Sequence, residues 1–307
     1  MSKVLMKGYA TMNHKEFLVL STLATSNGPL TQRAIAAKTG MSVGSVNDFI
    51  SRLTDAGYVA NRCVTDDGLE ALEPYRVKRA ILIAAGFGSR MAPITLNTPK
   101  PLVRVGGTRI IDTILDAVFA AGITEVYIVR GYLGEQFDQL LYKYPTIKFI
   151  ENPLYNDSNN ISSMLAAKDL LQSAYVFESD LLLRNGELIT KYQDRSNYLA
   201  VPMERSDDWC FTVEKSGVIK NFALGGEGGV EQMVGISYWT DEDGARLAKD
   251  IPATFEMPGG KERFWDEVAL SYCRENYKVY TRPCTLEDVT EIDSFRELQA
   301  LDPAYAC

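Results

Sequence analysis

The feature that most constrains the fold is an apolar run that opens into a glycine-rich loop. Residues 79–85 read "RAILIAA", which is typical of a strand buried on both faces of a sheet. The run stops at "GFGSR", and the chain turns apolar again only after Arg90 and Lys100. Because glycine lets backbone N–H groups approach an anion, the sequence predicts a phosphate-binding loop at the end of a buried strand.

Strands and helices alternate after this loop. "IIDTILDAVFAAG" predicts an amphipathic helix, "EVYIVRGY" and "KFIENP" predict strands, "NNISSMLAAKDLLQ" a helix and "AYVFESDLLL" a strand. This order predicts parallel strands with crossover helices, and in such sheets ligands bind beyond the carboxyl ends of the strands. The later "NYLAVPM", "FTVEKSGVIKNF" and "VGISYW" add antiparallel pairing. We therefore expect an α/β, Rossmann-like domain with a mixed, mostly parallel sheet over residues 77–307.

Residues 1–76 follow a different pattern. The pattern predicts three short helices, the first from its apolar spacing and the other two also from a cap at the start and a glycine at the end. They precede "YVANRCVTDDGLEALEPYR", which predicts a strand, a D-D-G turn and a returning strand. "LTQRAIAAKTGMSVGSVNDFISRLTDAGYV" resembles a winged helix-turn-helix domain. That resemblance implies a recognition helix from Ser42 to Arg52 that lies in the major groove of DNA.

The charges of this segment make DNA possible as a partner but do not favour it. Residues 1–76 hold eight Lys and Arg against seven Asp and Glu, and the predicted recognition helix offers Asp48 and Asp55 beside a single Arg52. DNA-binding helices usually carry more cations directed at phosphates. A regulatory or dimerising module, and with it a homodimer, is the favoured alternative.

Composition excludes several classes of function. The 307 residues are 46% apolar, which supports real cores, and the net charge of −8 opposes nucleic-acid binding by bulk charge. No apolar run reaches the roughly 18 residues of a membrane helix, so we expect a cytoplasmic protein with no membrane partner. The single histidine, His14, excludes a histidine triad and a histidine-rich metal site, and the five cysteines have no paired spacing that predicts disulfides or zinc.

The loop itself lacks the third glycine of a dinucleotide fingerprint and the lysine-serine pair of a P-loop. "AAGFGSR" followed by "TPKPL" instead resembles the nucleotidyltransferases that join a nucleoside triphosphate to a phosphorylated small molecule. In that family the pattern reads roughly A-A-G-x-G-[ST]-R and then P-K. The matching residues, which the resemblance implies bind the nucleotide, are Ala84, Ala85, Gly86, Gly88, Ser89, Arg90 and Lys100.

Attack on an α-phosphorus needs cations and a metal ion to stabilise the departing pyrophosphate. The family resemblance implies that Arg90 holds the triphosphate, that Lys100 lies by the reacting phosphates and that Asp180, in "YVFESD", binds Mg²⁺. Glu291 and Asp293 alternate in "TEIDSFREL" and so share one face of an extended segment, where they would complete the metal site. The alternative is that Asp293 or Ser294 only caps the following helix.

A closer resemblance narrows the family. "GYLGEQFDQL", "LYNDSNNISSM", "VGISYW", "RFWDE" and "EIDSFREL" are similar to the bacterial CTP:phosphocholine cytidylyltransferases from about residue 79 onwards. This resemblance implies CTP and phosphocholine as substrates, CDP-choline as product, and catalysis by Arg90, Lys100 and Asp180. Gly131 and Tyr132 follow a strand end where base or ribose contacts are expected.

A trimethylammonium group donates no hydrogen bonds, so its recognition requires aromatic faces near a carboxylate. The candidates are Trp209, Phe264, Trp265 and Asp266, and Tyr238 with Trp239. The alternative for these aromatic residues is the core, where tryptophan is usually found. Asn159 and Asn160 either bind substrate or cap a helix.

Two other functions remain. One is a sugar-1-phosphate nucleotidyltransferase, although "VEKS" at 213–216 lacks the proline of the E-K-P strand expected for a hexose. The other is a transcription regulator whose second domain senses a nucleotide or a choline metabolite. Lys100, Asp180 and Asp293 favour catalysis over sensing.

Overall fold

The structure is a computed structural model that describes residues 12–26 and 28–306. The chain forms two compact units, Met1–Arg76 and Val77–Cys307. Within the described residues no helix is both long enough and apolar enough to cross a bilayer. Cys63, Cys210, Cys273 and Cys284 carry free thiols, and Cys307 lies outside the described residues.

The described part of the first unit, residues 12–26 and 28–76, contains four α-helices and a short hairpin. The predicted caps are present, because the side chains of Thr31 and Ser42 accept hydrogen bonds from N–H groups in the first turns of their helices. Its core is built from the apolar faces of the three longer helices, with Leu20, Ile35 and Val46 fully buried. The elements are α1 (His14–Ala24), α2 (Gln32–Thr39), α3 (Val43–Asp55), β1 (Val59–Ala60), β2 (Cys63–Val64) and α4 (Asp66–Leu72).

The prediction of a turn at D-D-G was wrong. The two strands are joined at Asn61 and Arg62, both of which have positive φ. Thr65 then accepts a hydrogen bond from the N–H of Gly68, so the aspartates begin α4 instead of closing the hairpin. Acidic residues stabilise the first turn of a helix, which explains this use of the same residues.

The second unit is an α/β domain. Its strands are β3 (Arg79–Ala84), β4 (Arg104–Val105), β5 (Thr108–Arg109), β6 (Glu125–Arg130), β7 (Lys148–Glu151), β8 (Ala174–Glu178), β9 (Leu181–Leu183), β10 (Asn197–Val213), β11 (Ile219–Trp239), β12 (Tyr280–Pro283) and β13 (Val289–Glu291). Its helices are α5 (Ile110–Ala120), α6 (Ile161–Ala167), α7 (Asp241–Phe255) and α8 (Phe295–Leu301). Short 3-10 turns and one π-helical turn at Val268–Tyr272 connect them.

Seven strands form the main sheet in the order β12-β10-β11-β8-β3-β6-β7. All of its pairings are parallel except those of β11 with β10 and with β8, which confirms the predicted mixed, mostly parallel sheet. Apolar clusters cover both faces, and the adjacent residues Ile81 and Leu82 belong to opposite clusters. The continuous apolar run of β3 therefore reflects burial on both sides.

The topology brings distant segments to one edge. Strands β3 and β8 are parallel neighbours, so the loop after Ala84 and the turn after Glu178 meet at their carboxyl ends. The predicted single strand 174–183 is broken at this turn, which contains Asp180. Strand β13 pairs with β9 and places Glu291 opposite Leu181. This pairing carries the far C-terminal segment to the same edge.

Candidate active site

A cavity of about 560 Å³ lies at this edge of the sheet. One part of its lining, the loop end, consists of Ala84, Gly86, Gly88, Ser89, Arg90 and Lys100. Another part, the aromatic end, consists of Trp209, Phe222 and Phe264 with Asp208 and Asp266. The carboxylates of Glu178, Asp180, Glu291 and Asp293 also line the cavity.

The glycine loop is shaped for close approach to Lys100. Gly88 has φ +61°, and a Cβ there would lie 3.0 Å from the Cβ of Lys100 and 3.1 Å from Cγ2 of Thr95. The hydroxyl of Thr95 donates a 2.8 Å hydrogen bond to the carbonyl of Gly88. Glycine is needed at this position for both its backbone conformation and its lack of a side chain.

Lys100 is held by two carboxylates. Its Nζ lies 2.8 Å from Oδ2 of Asp180 and 3.0 Å from Oδ1 of Asp293, and the side chain of Arg90 donates to the same Asp293 oxygen at 2.8 Å. Burial alone lowers the pKa of Lys100, but the attraction and hydrogen bonds of Asp180 and Asp293 outweigh it, so its pKa is raised. The residue is 8% exposed and carries a fixed positive charge beside the loop.

Three carboxylates converge next to this lysine. Ligand oxygens of Glu178, Asp180 and Glu291 all lie within 4.8 Å of one another. Burial, and then repulsion from Asp180, raises the pKa of Glu178 well above its usual value. The same two causes raise the pKa of Glu291 to about 8. Such clustering is unfavourable for the charged forms unless a cation compensates them.

A divalent cation matches this cluster. Oδ1 of Asp180 is buried and has no hydrogen-bond partner, and carboxylate oxygens are the ligands that Mg²⁺ prefers. Glu178 was not predicted, although the i, i+2 spacing of "ESD" could have indicated it. Asp293, which was predicted as a metal ligand, pairs with Lys100 and Arg90, and Asp180 also pairs with Lys100.

The helix-cap alternative for this segment applies to Ser294. The Ser294 hydroxyl accepts from the N–H of Glu297, and the Glu297 carboxylate accepts from the N–H groups of Ser294 and Asp293. This capping box holds the backbone at the start of α8. The carboxylate of Asp293 is left to pair with the two cations.

The aromatic end is a small box with acidic neighbours. Trp209 stacks on Phe222 with ring centroids 4.5 Å apart and meets Phe264 edge-on at 5.8 Å. Asp266 is 3% exposed and accepts a 2.7 Å hydrogen bond from the hydroxyl of Tyr198. Burial raises the pKa of Asp266 to about 7, although the Tyr198 hydrogen bond acts in the opposite direction.

The structure does not bring Trp265 or Tyr238 to the cavity. Trp265 is 2% exposed and packs against Tyr198 and Trp239, while its neighbours Phe264 and Asp266 face the cavity. Of the residues that the sequence named in this segment, Phe264 and Asp266 line the cavity and Trp265 lies in the core. Tyr238 lies in the core, edge-on to Tyr175.

Two other predicted contacts, Gly131 and Tyr132, do not line the cavity. The N–H of Tyr132 donates to the carbonyl of Ala85 at 3.1 Å, and the Tyr132 hydroxyl donates to the carbonyl of Thr95 at 3.0 Å. A Cβ at Gly131 would lie 2.6 Å from the ring of Tyr155, so glycine allows that ring to pack closely. Asn160 does line the cavity, and its side chain makes no cap hydrogen bond.

Comparison with known proteins agrees with this geometry. Residues 79–216 match the family model for nucleotidyl transferases, and residues 12–60 match that for winged helix-turn-helix DNA-binding domains. The chain is 37% identical over 229 residues to the 2-aminoethylphosphonate cytidylyltransferase of Lancefieldella rimae, an alignment that covers 74% of this chain and 92% of that relative. It is 29% identical to the choline-phosphate cytidylyltransferase of Haemophilus influenzae, over 73% of this chain and 97% of the relative.

The solved structure of the CTP:phosphocholine cytidylyltransferase of Streptococcus pneumoniae superposes with a TM-score of 0.69 at 28% identity. The match covers 75% of this chain and 99% of that structure. The unmatched part of this chain includes the winged-helix segment found by the second family model. The chain therefore belongs to the cytidylyltransferases of the nucleotidyltransferase family and carries a winged helix-turn-helix domain before its catalytic domain.

Proposed function

We propose that this protein transfers CMP from CTP to 2-aminoethylphosphonate. The observation that carries the proposal is a cavity whose lining combines cations and clustered carboxylates with an aromatic cluster and aspartates. An acceptor with a phosphonate at one end and an ammonium at the other is complementary to both sets of groups. The 37% identity to a 2-aminoethylphosphonate cytidylyltransferase favours this acceptor.

In the proposed reaction an oxygen of the phosphonate attacks the α-phosphorus of CTP. A new P–O bond forms, the bond between the α-phosphorus and the bridging oxygen breaks, and pyrophosphate leaves with the electron pair. Negative charge accumulates on the departing group, so cations must face it. Lys100 and Arg90 supply that charge at the loop end, and the N–H groups of the glycine loop orient the phosphates.

A magnesium ion would be held by Asp180 with Glu178 and Glu291. When bound, it supplies Lewis-acid stabilisation of the phosphate oxygens. The unpartnered Oδ1 of Asp180 supports its assignment as the central ligand. Asp293 fixes Lys100 and Arg90 at the border of this cluster.

The aromatic end would bind the ammonium group. Trp209, Phe222 and Phe264 offer ring faces to a cation, each contact contributing about 0.5–2 kcal/mol. Asp208 and Asp266 offer carboxylates that complement the charge and, for a primary ammonium, accept hydrogen bonds. This separation of roles predicts that the two ends of the acceptor are recognised independently.

Phosphocholine is the second candidate acceptor. The Trp209 and Phe264 rings favour it, because a trimethylammonium group is recognised by aromatic faces, and so does the similarity to two choline-phosphate cytidylyltransferases. A sugar 1-phosphate has no cation for the aromatic end and is not favoured.

The test is pyrophosphate release from CTP, UTP, dTTP and ATP, each with 2-aminoethylphosphonate, phosphocholine, ethylphosphonate and glucose 1-phosphate. We expect the highest kcat/KM for CTP with 2-aminoethylphosphonate, and a large loss with ethylphosphonate, which differs only in lacking the amine. If the enzyme prefers phosphocholine, phosphocholine is the acceptor, and the proposed transfer of CMP from CTP still holds. Preference for glucose 1-phosphate, or binding without any turnover, would refute the proposal.

A further inference from the structure

The segment 261–266 carries Phe264 and Asp266, two of the groups at the aromatic end, and it is fixed by hydrogen bonds from the start of α6. Oδ1 of Asn160 accepts from the N–H of Trp265 at 2.9 Å. The N–H of Asn159 donates to the carbonyl of Lys261 at 2.7 Å, and its side-chain amide donates to the carbonyl of Glu262 at 3.2 Å. These bonds bracket Phe264 on both sides.

Asn160 occupies the N-cap position of α6 without capping it. Its side chain accepts no hydrogen bond from the first turn of that helix. An asparagine at this position usually caps, and here its oxygen instead joins two segments 105 residues apart in the chain. The first turn is closed by backbone bonds, in which the N–H groups of Ser163 and Met164 donate to the carbonyl of Asn160.

Trp265 supplies the second anchor of the segment. Its indole ring packs against Tyr198 and Trp239 in the core, with centroids 6.4 and 5.8 Å away. Its backbone N–H is the group that Asn160 holds. With both its side chain and its N–H fixed, the residues on either side of Trp265 are directed into the cavity.

We propose that Asn160 is a positioning residue for acceptor recognition, which acts through the N–H of Trp265 to set Phe264 and Asp266 against the ammonium group. The identity of the ammonium acceptor rests on the proposed function, whereas the anchoring of the segment does not. Asn160 therefore contributes to discrimination between acceptors and not to the binding of CTP.

Asn160→Ala removes the acceptor oxygen and leaves the N–H of Trp265 without this partner. We expect KM for 2-aminoethylphosphonate to rise about fivefold, the usual effect of one lost hydrogen bond, with KM for CTP unchanged. The rise should be smaller for ethylphosphonate, which has no group to place at the aromatic end. Asn160→Asp, which keeps the oxygen, should restore most of the affinity.

Amide exchange provides a readout that is independent of the substrate. In Asn160→Ala the amide of Trp265 should exchange faster, whereas Asn156→Ala, an exposed asparagine in the same loop, should change neither exchange nor kinetics. If the alanine variant does not fold, Asn160→Gln takes its place. It displaces the oxygen by one methylene, and we expect the same faster exchange of the Trp265 amide.

A double-mutant cycle with Phe264→Leu decides whether the effect passes through the segment. We expect the two losses to be less than additive, because both disturb the same contact. Additive losses, or equal losses for CTP and for every acceptor, would overturn the inference. If the wild-type enzyme prefers another acceptor in the panel, the proposed substrate fails, and the cycle is measured on that acceptor with the same two outcomes.

Discussion

The loop end and the aromatic end of the cavity are built in different ways. The loop end comes from one stretch of chain, residues 84–100, that follows a central strand and is held by backbone geometry at Gly88. The aromatic end is assembled from β10, β11 and the segment 261–266, and its shape depends on side-chain packing and on hydrogen bonds between segments. The loop end is therefore contiguous in the sequence, whereas the aromatic end is assembled from distant segments.

This difference predicts separate kinetic effects. Changes at the loop end and its carboxylates should act on turnover with any acceptor. Changes at the aromatic end should act on acceptor affinity with little effect on CTP.

Asp180→Asn should have the largest effect. The substitution is nearly isosteric but removes the charge that faces a divalent cation, so kcat should fall on the order of 1,000-fold with the fold intact. Steady-state pyrophosphate release at saturating magnesium measures it, and Asp157→Asn, an exposed aspartate, is the matched control. Near-normal turnover would show that Asp180 does not bind a catalytic metal ion.

Lys100→Ala should lower kcat about 100-fold and weaken CTP binding less, if its cation acts mainly on the transition state. The loss should be equal for every acceptor, because Lys100 lies at the loop end. Measuring both kcat and the Kd for CTP separates the loss of turnover from the loss of CTP affinity. Lys220→Ala, which changes an exposed lysine, is the control. A loss confined to CTP affinity would assign Lys100 to ground-state binding alone.

Trp209→Leu should raise KM for 2-aminoethylphosphonate by about 2- to 30-fold, the equivalent of 0.5–2 kcal/mol for one ring face. Trp209→Phe keeps an aromatic ring and should lose less. Initial rates at saturating CTP measure both variants. An equal loss for the two variants would indicate that Trp209 contributes volume and not its ring face.

Removal of residues 1–76 should have the smallest effect. Every residue assigned to the cavity lies in the unit Val77–Cys307, which has its own core. Turnover by the truncated protein should match that of the full chain in the same assay. A truncated protein that melts cooperatively but releases no pyrophosphate would show that the winged-helix domain is required for catalysis.

The loop end was easier to predict from the sequence than the aromatic end. The loop residues and Asp180 could be identified from sequence because a short motif and the end of an apolar strand determine their positions. Glu178 was missed because its role depends on the pairing of β9 with β13, which brings Glu291 beside it. Periodicity in a single segment does not reveal such pairing.

The aromatic end was predicted less well for a related reason. "RFWDE" indicated that an aromatic residue meets the ligand, but only the packing of Trp265 against Tyr198 and Trp239 decides which side of the segment is buried. The same limit applies to Asn160, which was expected to bind substrate or cap a helix. Its side chain does not cap α6, and it lines the cavity and accepts a hydrogen bond from a backbone N–H of a distant segment. Contacts of this kind are properties of the folded chain.

The separation of roles between the loop end and the aromatic end is tested most directly by two variants, Asp180→Asn and Trp209→Leu. Each is assayed for pyrophosphate release with 2-aminoethylphosphonate and with ethylphosphonate. If the loop end and the aromatic end have separate roles, Asp180→Asn lowers kcat by the same factor for both acceptors. Trp209→Leu then raises KM only for the acceptor that carries the amine and leaves KM for CTP unchanged. If Trp209→Leu weakens both acceptors and CTP equally, the aromatic end is structural and the assignment of an ammonium acceptor is wrong.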